Sequence, residues 1–248
     1  MVTSGAPQSN HARLTAAAAA RLGLRAVLVL AGEAPATVGG NLLLDHLLGA
    51  DVVWAGDVDD DALDARVHAE AEAWRRRGTP TEVIPFGGSS VTGARGYVDA
   101  GRELLEQVPD VDTVVVAVGS GGTMAGLVHA LGAEHVLGVD TGAVGDAGAR
   151  VTRFVEGLAG RAFRGSLRLR ADQVGDGYSH LTPAVTEAVH LVARTEGLVL
   201  DPVYTGRAAA GLIAAVREGE VVTGRRTVLL HSGGLPGLFG HPDAVRLA

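Results

Sequence analysis

The segment from Val114 to Leu131 combines the residue types that bind an anion. The β-branched run Val114–Val118 predicts a buried strand, and a helix of small residues follows it. The glycine-rich turn between them consists of Gly119, Ser120, Gly121, Gly122 and Thr123. Glycines let the backbone approach a ligand, and a helix N-terminus favours negative charge. The turn therefore predicts a phosphate or carboxylate site, with a turn that binds no ligand as the alternative. It has neither the lysine of a P-loop nor the GxGxxG spacing.

A second helix start carries polar side chains that are able to bind or react. Ser9, Asn10 and His11 follow the loop 4–8 and begin a helix that is predicted to end near Arg21. Ser9 or Asn10 is a typical N-cap residue, and capping alone is one interpretation. His11 either orients the loop or takes part in acid–base chemistry.

The basic residues restrict the chemistry that these 248 residues support. All 21 of them are arginines, and the sequence contains no lysine and no cysteine. Guanidinium groups do not deprotonate in proteins, so no side chain here supplies an amine nucleophile. No thiolate nucleophile or thiolate metal site is present either, and the histidine spacings do not predict a metal site.

Charge and hydropathy indicate an ordinary soluble protein. The net charge is −7, with acidic and basic residues scattered along the chain, which argues against nucleic-acid binding. The longest uncharged run, 114–133, is interrupted by glycines and makes a poor membrane span. No signal peptide is visible, so the sequence predicts a cytoplasmic protein with no membrane partner.

Alternating strand and helix patterns predict an α/β fold with mostly parallel open sheets and helices on both faces. The glycine-rich link 87–90 is the predicted boundary between a smaller lobe, 1–90, and a larger lobe, 91–248. Three polar loops follow strands, at 4–11, 119–123 and 231–234, and ligands bind at this edge of open α/β sheets. The predicted strands are 1–3, 25–30, 51–54, 82–85, 114–118, 135–140, 166–170, 198–201 and 227–230.

Several motifs, in order along the chain, resemble one family. They are Gln8–Arg13, Gly119–Thr123 with Ala125-Gly126, Thr195–Gly206 and His231–Gly234, supported by Gly40–Leu44 and Gly87–Ser89. The chain resembles the D-cysteine desulfhydrase and 1-aminocyclopropane-1-carboxylate (ACC) deaminase group. These are pyridoxal-phosphate (PLP) enzymes of fold type II, the tryptophan-synthase-β fold.

This resemblance implies a role for each matching residue. Gly119–Thr123 would hold the cofactor phosphate, and Asn10 would bond the ring hydroxyl. Tyr204 would stack on the pyridine ring, and Ser232, where the family usually has Thr, would meet the ring nitrogen. Ser9 would bind a substrate carboxylate. The residues predicted to be catalytic are Ser9, His11 and Tyr204.

Two departures from the family bear on the expected activity. Family members carry an earlier segment with the first strands of the larger lobe and the Schiff-base lysine, and this sequence begins just before the Ser9–His11 loop. The lysine that often follows Tyr-Thr-Gly is Arg207 here. We therefore expect PLP to bind noncovalently if it binds, and we expect a homodimer or partner chain to cover the exposed sheet.

Four interpretations follow. The first is a repurposed enzyme that acts on a small acidic substrate by lyase, isomerase or cyclase chemistry without an internal aldimine; His180 and His231 are further acid–base candidates there. The second is a C–S or C–N lyase or deaminase completed by a lysine-bearing segment of another chain. The third is a noncatalytic binding protein. The fourth is a shortened sequence, or a misassigned start, of an ordinary enzyme.

Overall fold

Two separate parallel β-sheets provide the framework of the computed structural model, which describes all 248 residues. Unit 1 consists of Met1–Gly88 with Pro236–Pro242, and unit 2 consists of Ser89–Leu235 with Asp243–Ala248. Residues 236–242, which the sequence analysis placed in the larger lobe, thus pack in unit 1. The reason is close backbone contact, because a Cβ on Gly40 would lie 2.7 Å from the Pro236 carbonyl oxygen.

Unit 1 is a three-stranded sheet with helices on both faces. Its strands β1, β2 and β3 pair in that order, all parallel. Leu28 and Leu30 pack under alanines of α1, and Val27 and Val29 pack on the opposite face against α3. The elements are β1 (Val2–Gly5), α1 (Asn10–Arg21), β2 (Val27–Leu30), α2 (Gly40–Leu47), β3 (Asp51–Trp54) and α3 (Asp60–Arg76).

Unit 2 is a four-stranded parallel sheet with the order β6-β5-β4-β7. Alternate residues of β4 face opposite cores: Val114 and Val116 pack with α5 and α6, whereas Val115 packs with α8. The elements are α4 (Val91–Gln107), β4 (Val111–Val118), α5 (Gly122–Leu131), β5 (Val136–Asp140), α6 (Ala147–Ala159), β6 (Arg168–Arg170), α7 (Pro183–Glu196), α8 (Thr205–Arg217) and β7 (Arg226–Leu229). A short helix, α9 (Leu235–Gly240), follows.

The predicted α/β class with parallel sheets is confirmed, but two predicted strands are not formed. Residues 82–85 make only a single parallel bridge, Val2 to Val83. Residues 198–201 join no sheet, and Leu198 and Val199 are exposed. Residues 82–84 pair with β1 only at Val2, whose N–H and carbonyl bond Glu82 and Ile84, whereas residues 198–201 pair with no strand. The longest helices have 17 residues, and none of the helices meets the length and hydropathy that a membrane span requires.

Candidate functional site

The glycine turn of unit 2 joins the carboxyl end of β4 to the N-terminus of α5. Gly121 is the N-cap residue of α5 and has φ +94°, a conformation that disfavours any residue with a Cβ. A Cβ there would also lie 3.2 Å from Cγ2 of Val151. The residues that the sequence predicted for anion binding therefore form a glycine-dependent helix start, where free N–H groups favour an anion.

Ser89 contacts this turn, although the sequence analysis did not name it as a site residue. Its Oγ accepts a hydrogen bond from the Gly122 N–H at 3.1 Å and lies 2.7 Å from the Ser120 Oγ. A Cβ on Gly122 would come within 2.6 Å of the same oxygen. Arg150 donates from Nε to the Ser120 carbonyl at 3.3 Å, which places a cation at the turn. The motif Gly87-Gly88-Ser89 was the only sequence signal for this contact.

Tyr204 is held beside the same turn by the carboxylate of Asp201. Asp201 Oδ2 accepts from the N–H groups of Val203 and Tyr204 at 3.0 and 2.8 Å, and Oδ1 accepts from the Thr205 N–H at 2.9 Å. The tyrosine ring lies on Gly119, since a Cβ there would be 3.0 Å from Tyr204 Cε1. The structure therefore brings Tyr204 and the glycine turn together, as their predicted roles require.

Tyr178 completes this part of the site and was missed from the sequence. Its hydroxyl lies 2.7 Å from that of Tyr204, and the two rings meet edge to face at a centroid distance of 6.1 Å. Burial raises the pKa of both tyrosines above the usual value, most strongly for Tyr204. Both hydroxyls are therefore neutral at pH 7, and one donates its hydrogen to the other. The sequence offered only a tyrosine within a glycine-rich loop.

Other predicted residues of unit 2 have different surroundings. His180 Nδ1 accepts from the Asp176 N–H at 2.9 Å, so this ring braces its own loop. His231 follows the end of β7 at Leu229, and its ring is exposed, with Nε2 3.5 Å from the Val199 carbonyl oxygen. Ser232 is also exposed, and no hydrogen bond fixes its side chain.

In unit 1, the helix start at Ser9 is organised by Asn41. Ser9 Oγ accepts from the Ala12 N–H at 3.1 Å, which is the predicted N-cap. The wholly buried Asn41 amide donates to the Gln8 carbonyl at 2.9 Å and to Asn10 Oδ1 at 2.8 Å. Asn10 Oδ1 is thus occupied, and its Nδ2 remains as a donor at the start of α1.

The hydrogen bonds of His11 fix its tautomer. The Thr3 hydroxyl donates to the Ile84 carbonyl at 2.8 Å, so His11 Nε2 must donate to the Thr3 oxygen, also at 2.8 Å. Nδ1 therefore carries a lone pair, and a Cβ on Gly88 would lie 3.1 Å from it. Burial lowers the pKa of His11 to about 4. His11 is consequently a neutral hydrogen-bond acceptor at pH 7. No group of three or more His, Cys, Asp or Glu residues is arranged to hold a metal ion.

The chain has a parallel α/β fold with a glycine-rich turn between a strand end and a helix start. Residues 1–233 match the family model described as pyridoxal-phosphate dependent enzyme. The chain belongs to this family.

Individual relatives narrow the comparison. The chain is 38% identical to D-cysteine desulfhydrase of Salmonella schwarzengrund (strain CVM19633) over 261 aligned residues, which cover 98% of this chain and 78% of the relative. A crystal structure of an ACC deaminase homologue superposes with a TM-score of 0.90 at 35% identity and covers 100% of this chain and 78% of that one. The processed form of threonine deaminase isoform 2 from Solanum lycopersicum shares the fold alone, with a TM-score of 0.63 at 19% identity and coverage of 94% and 65%. The family predicted from the motifs is confirmed.

The residues of unit 2 fit the phosphate and ring of the family's cofactor. Tyr204, Val151 and Ser89 pack closely on Gly119, Gly121 and Gly122 respectively, which leaves no room for side chains that would cover the backbone of the turn. The residues do not supply the amine for a Schiff base, because none of the 248 residues is lysine. Arg207, at the position where the family often has lysine, is wholly buried and bonded to backbone carbonyls.

Proposed function

We propose that this chain binds PLP without a covalent bond to any of its 248 residues and takes part in C–S or C–N bond cleavage. The substrate is a small carboxylate-bearing compound of the D-cysteine or ACC type, and the required amine comes from outside these residues. The observation that carries the proposal is the Tyr178–Tyr204 hydroxyl pair, 2.7 Å apart, beside the intact glycine turn.

Different residues of unit 2 bind the cofactor phosphate, hold a proton and position Tyr204. When bound, PLP supplies an electron sink for a carbanion next to a carboxylate. The glycine turn binds the phosphate, and Arg150 adds positive charge next to it. The tyrosine pair holds a proton at a hydroxyl oxygen, because its raised pKa values keep both groups neutral. Asp201 fixes the backbone that carries Tyr204.

Unit 1 contributes donors for an acidic group. Asn41 donates to Asn10 Oδ1, which leaves the Asn10 Nδ2 as a donor for an oxygen of an acidic ligand. Ser9 uses its oxygen lone pair as the N-cap, so its hydroxyl hydrogen is free to donate to a carboxylate. We assign these two residues to binding.

The geometry of His11 favours a second candidate function, acid–base chemistry without PLP. Its Nδ1 lone pair and its pKa of about 4 make it a neutral acceptor, and no lysine is needed for such a reaction. The repurposed enzyme of the first interpretation would then use His11 as a proton-transfer group.

One experiment separates the two candidates. The purified chain is titrated with PLP, reduced with borohydride and weighed by intact-mass spectrometry; sulfide release from D-cysteine is then measured with and without an added primary amine. Saturable binding, no mass increase and amine-dependent sulfide release support the first proposal. Absence of PLP binding contradicts it, and binding of a small dicarboxylate instead supports the second.

Matched glycine variants tie the result to the turn. Gly121→Ala should weaken PLP binding about 10- to 100-fold, because a Cβ at φ +94° costs about 1–3 kcal/mol. Gly96→Ala, in a helix with open space around it, should leave the affinity unchanged. Equal affinities of the two variants would mean that PLP binds elsewhere.

We further propose that a second copy or a partner chain covers the sheet of unit 2. Strand β7 forms one edge of this sheet, and its first residue, Arg226, is exposed. Edge strands offer unpaired backbone groups to another chain. Light scattering after size-exclusion chromatography tests this, and a monomer at all concentrations contradicts it.

A further inference from the structure

Arg207 is a buried cation without a carboxylate partner. It is the third residue of α8, and its side chain is among the largest that are fully buried in the protein. A positive charge near a helix N-terminus opposes the helix dipole, and burial removes its hydration. Its position therefore needs compensating acceptors.

Those acceptors are backbone carbonyls of two other segments. Nη2 lies 3.2, 2.8 and 2.9 Å from the carbonyl oxygens of Val174, Gly177 and His180. Nη1 donates to the carbonyl of Thr141, directly after β5. The guanidinium thus ties the loop 174–180 and the end of β5 to the start of α8.

The loop itself is irregular. It joins no sheet, and its internal hydrogen bonds include those from the Asp176 N–H to His180 Nδ1 and from the His180 N–H to the Gly177 carbonyl, at 2.9 and 3.1 Å. Tyr178 lies at its centre, with its hydroxyl on Tyr204. The side chain that fixes the loop is therefore also placed to fix the tyrosine pair.

We propose that Arg207 is a positioning residue that clamps the loop 174–180 against α8 and so keeps the Tyr178 hydroxyl on Tyr204. This deepens the proposed function, because the pair is the proton-transfer group assigned there. The planar fork of arginine reaches acceptors in two directions, whereas a lysine ammonium offers three donors from one nitrogen. Lysine at this position should therefore hold the loop only in part.

Hydrogen exchange of the chain without cofactor tests the clamp directly. Arg207→Gln should accelerate exchange in the peptide 174–182 by about 10- to 100-fold, since several charge-assisted hydrogen bonds are lost. Arg207→Lys should fall between Arg207→Gln and wild type. The control is Arg217→Gln, which is also on α8. It breaks an exposed ion pair with Glu187 of α7 and should leave the exchange rate of this peptide unchanged. If Arg207→Gln does not fold, Arg207→Lys carries the test, and unchanged loop exchange in every folded Arg207 variant overturns the proposal.

A pH titration of the tyrosinate absorbance gives a second test, because the two explanations predict opposite shifts of the tyrosine pKa values in Arg207→Gln. The protein has three tyrosines, so a Tyr97→Phe background leaves only Tyr178 and Tyr204. Arg207 as a nearby charge lowers the pKa of both, and Asp201 raises it. If Arg207 acted only as a charge, Arg207→Gln would raise these pKa values; loss of the clamp hydrates the pair and lowers them instead. A lower titration midpoint supports the clamp, and a higher or equal one contradicts it. Neither result depends on PLP, so failure of the proposed function shows separately, in the binding titration.

Discussion

The starts of α1 and α5 follow the same plan, a strand, a polar turn and a helix, but they are stabilised differently. Helix α1 is capped by Ser9, which accepts a hydrogen bond from the N–H of Ala12, three residues later. Helix α5 begins at a glycine with φ +94°, and its Gly122 N–H is bonded by Ser89, 33 residues earlier. The first helix start is capped by its own local sequence, and the distant Asn41 amide holds the residues on either side of that cap. At the second, the cap itself comes from a distant segment, and the glycines let that segment come close.

The largest effect is expected at the buried amide that organises the α1 start. Asn41→Ala removes donors to the Gln8 carbonyl and Asn10 Oδ1 and the acceptor of Arg13 Nε. Leaving these groups unpaired should lower the free energy of unfolding by about 3–4 kcal/mol, measured by urea denaturation. Leu43→Ala on the same helix, where the side chain is 46% exposed, should cost less than about 0.5 kcal/mol. Similar losses in both variants would show that Asn41 is not the organising group.

The pH dependence of stability should report on His11. Burial lowers its pKa from 6.5 to about 4, so below pH 6.5 the unfolded chain binds a proton that the folded chain does not. Stability is therefore complete above pH 6.5 and falls as pH drops towards 4, by on the order of 3 kcal/mol. Asp45, whose pKa burial raises to about 7, titrates in the same range, so the difference between wild type and His11→Gln isolates the histidine.

Substitution by alanine should have opposite effects on the free energy of unfolding at Gly121, at the start of α5, and at the control position Gly96. Gly121→Ala should lower the free energy of unfolding by about 1–3 kcal/mol because of its positive φ and the nearby Val151 side chain. Gly96→Ala should raise it by about 0.5–1 kcal/mol, because alanine is the better helix former and space is open there. Thermal unfolding measures both, and shifts of the same sign would mean that the turn tolerates a side chain.

The smallest effects are expected at two neighbouring serines that cap different helices. Ser89→Ala removes the distant acceptor of Gly122, and Ser90→Ala removes the local cap at the Gly93 N–H. Each should cost about 1 kcal/mol. Hydrogen exchange should separate them: faster exchange at the first turn of α5 for Ser89→Ala, and at that of α4 for Ser90→Ala. Identical exchange patterns would remove the distinction between local and distant capping.

The sequence alone determined the fold class, the family, the glycine turn and the Ser9 cap. These features depend on interactions within a few residues: alternating patterns, a strand followed by glycines, and a hydroxyl three residues before an N–H. It also showed that no lysine is available among these residues.

Only the tertiary structure decided which distant side chains meet. Ser89 joins the glycine turn, Tyr178 joins Tyr204, and Arg207 reaches carbonyls about 30 residues away. The expected strand at 198–201 failed for the same reason, because a strand requires a partner that local composition does not reveal. The expected strand at 82–85 is reduced to one bridge, because it pairs with β1 only at Val2. Buried polar groups must find acceptors wherever the chain folds back on itself, and that choice is made by packing and not by sequence neighbours.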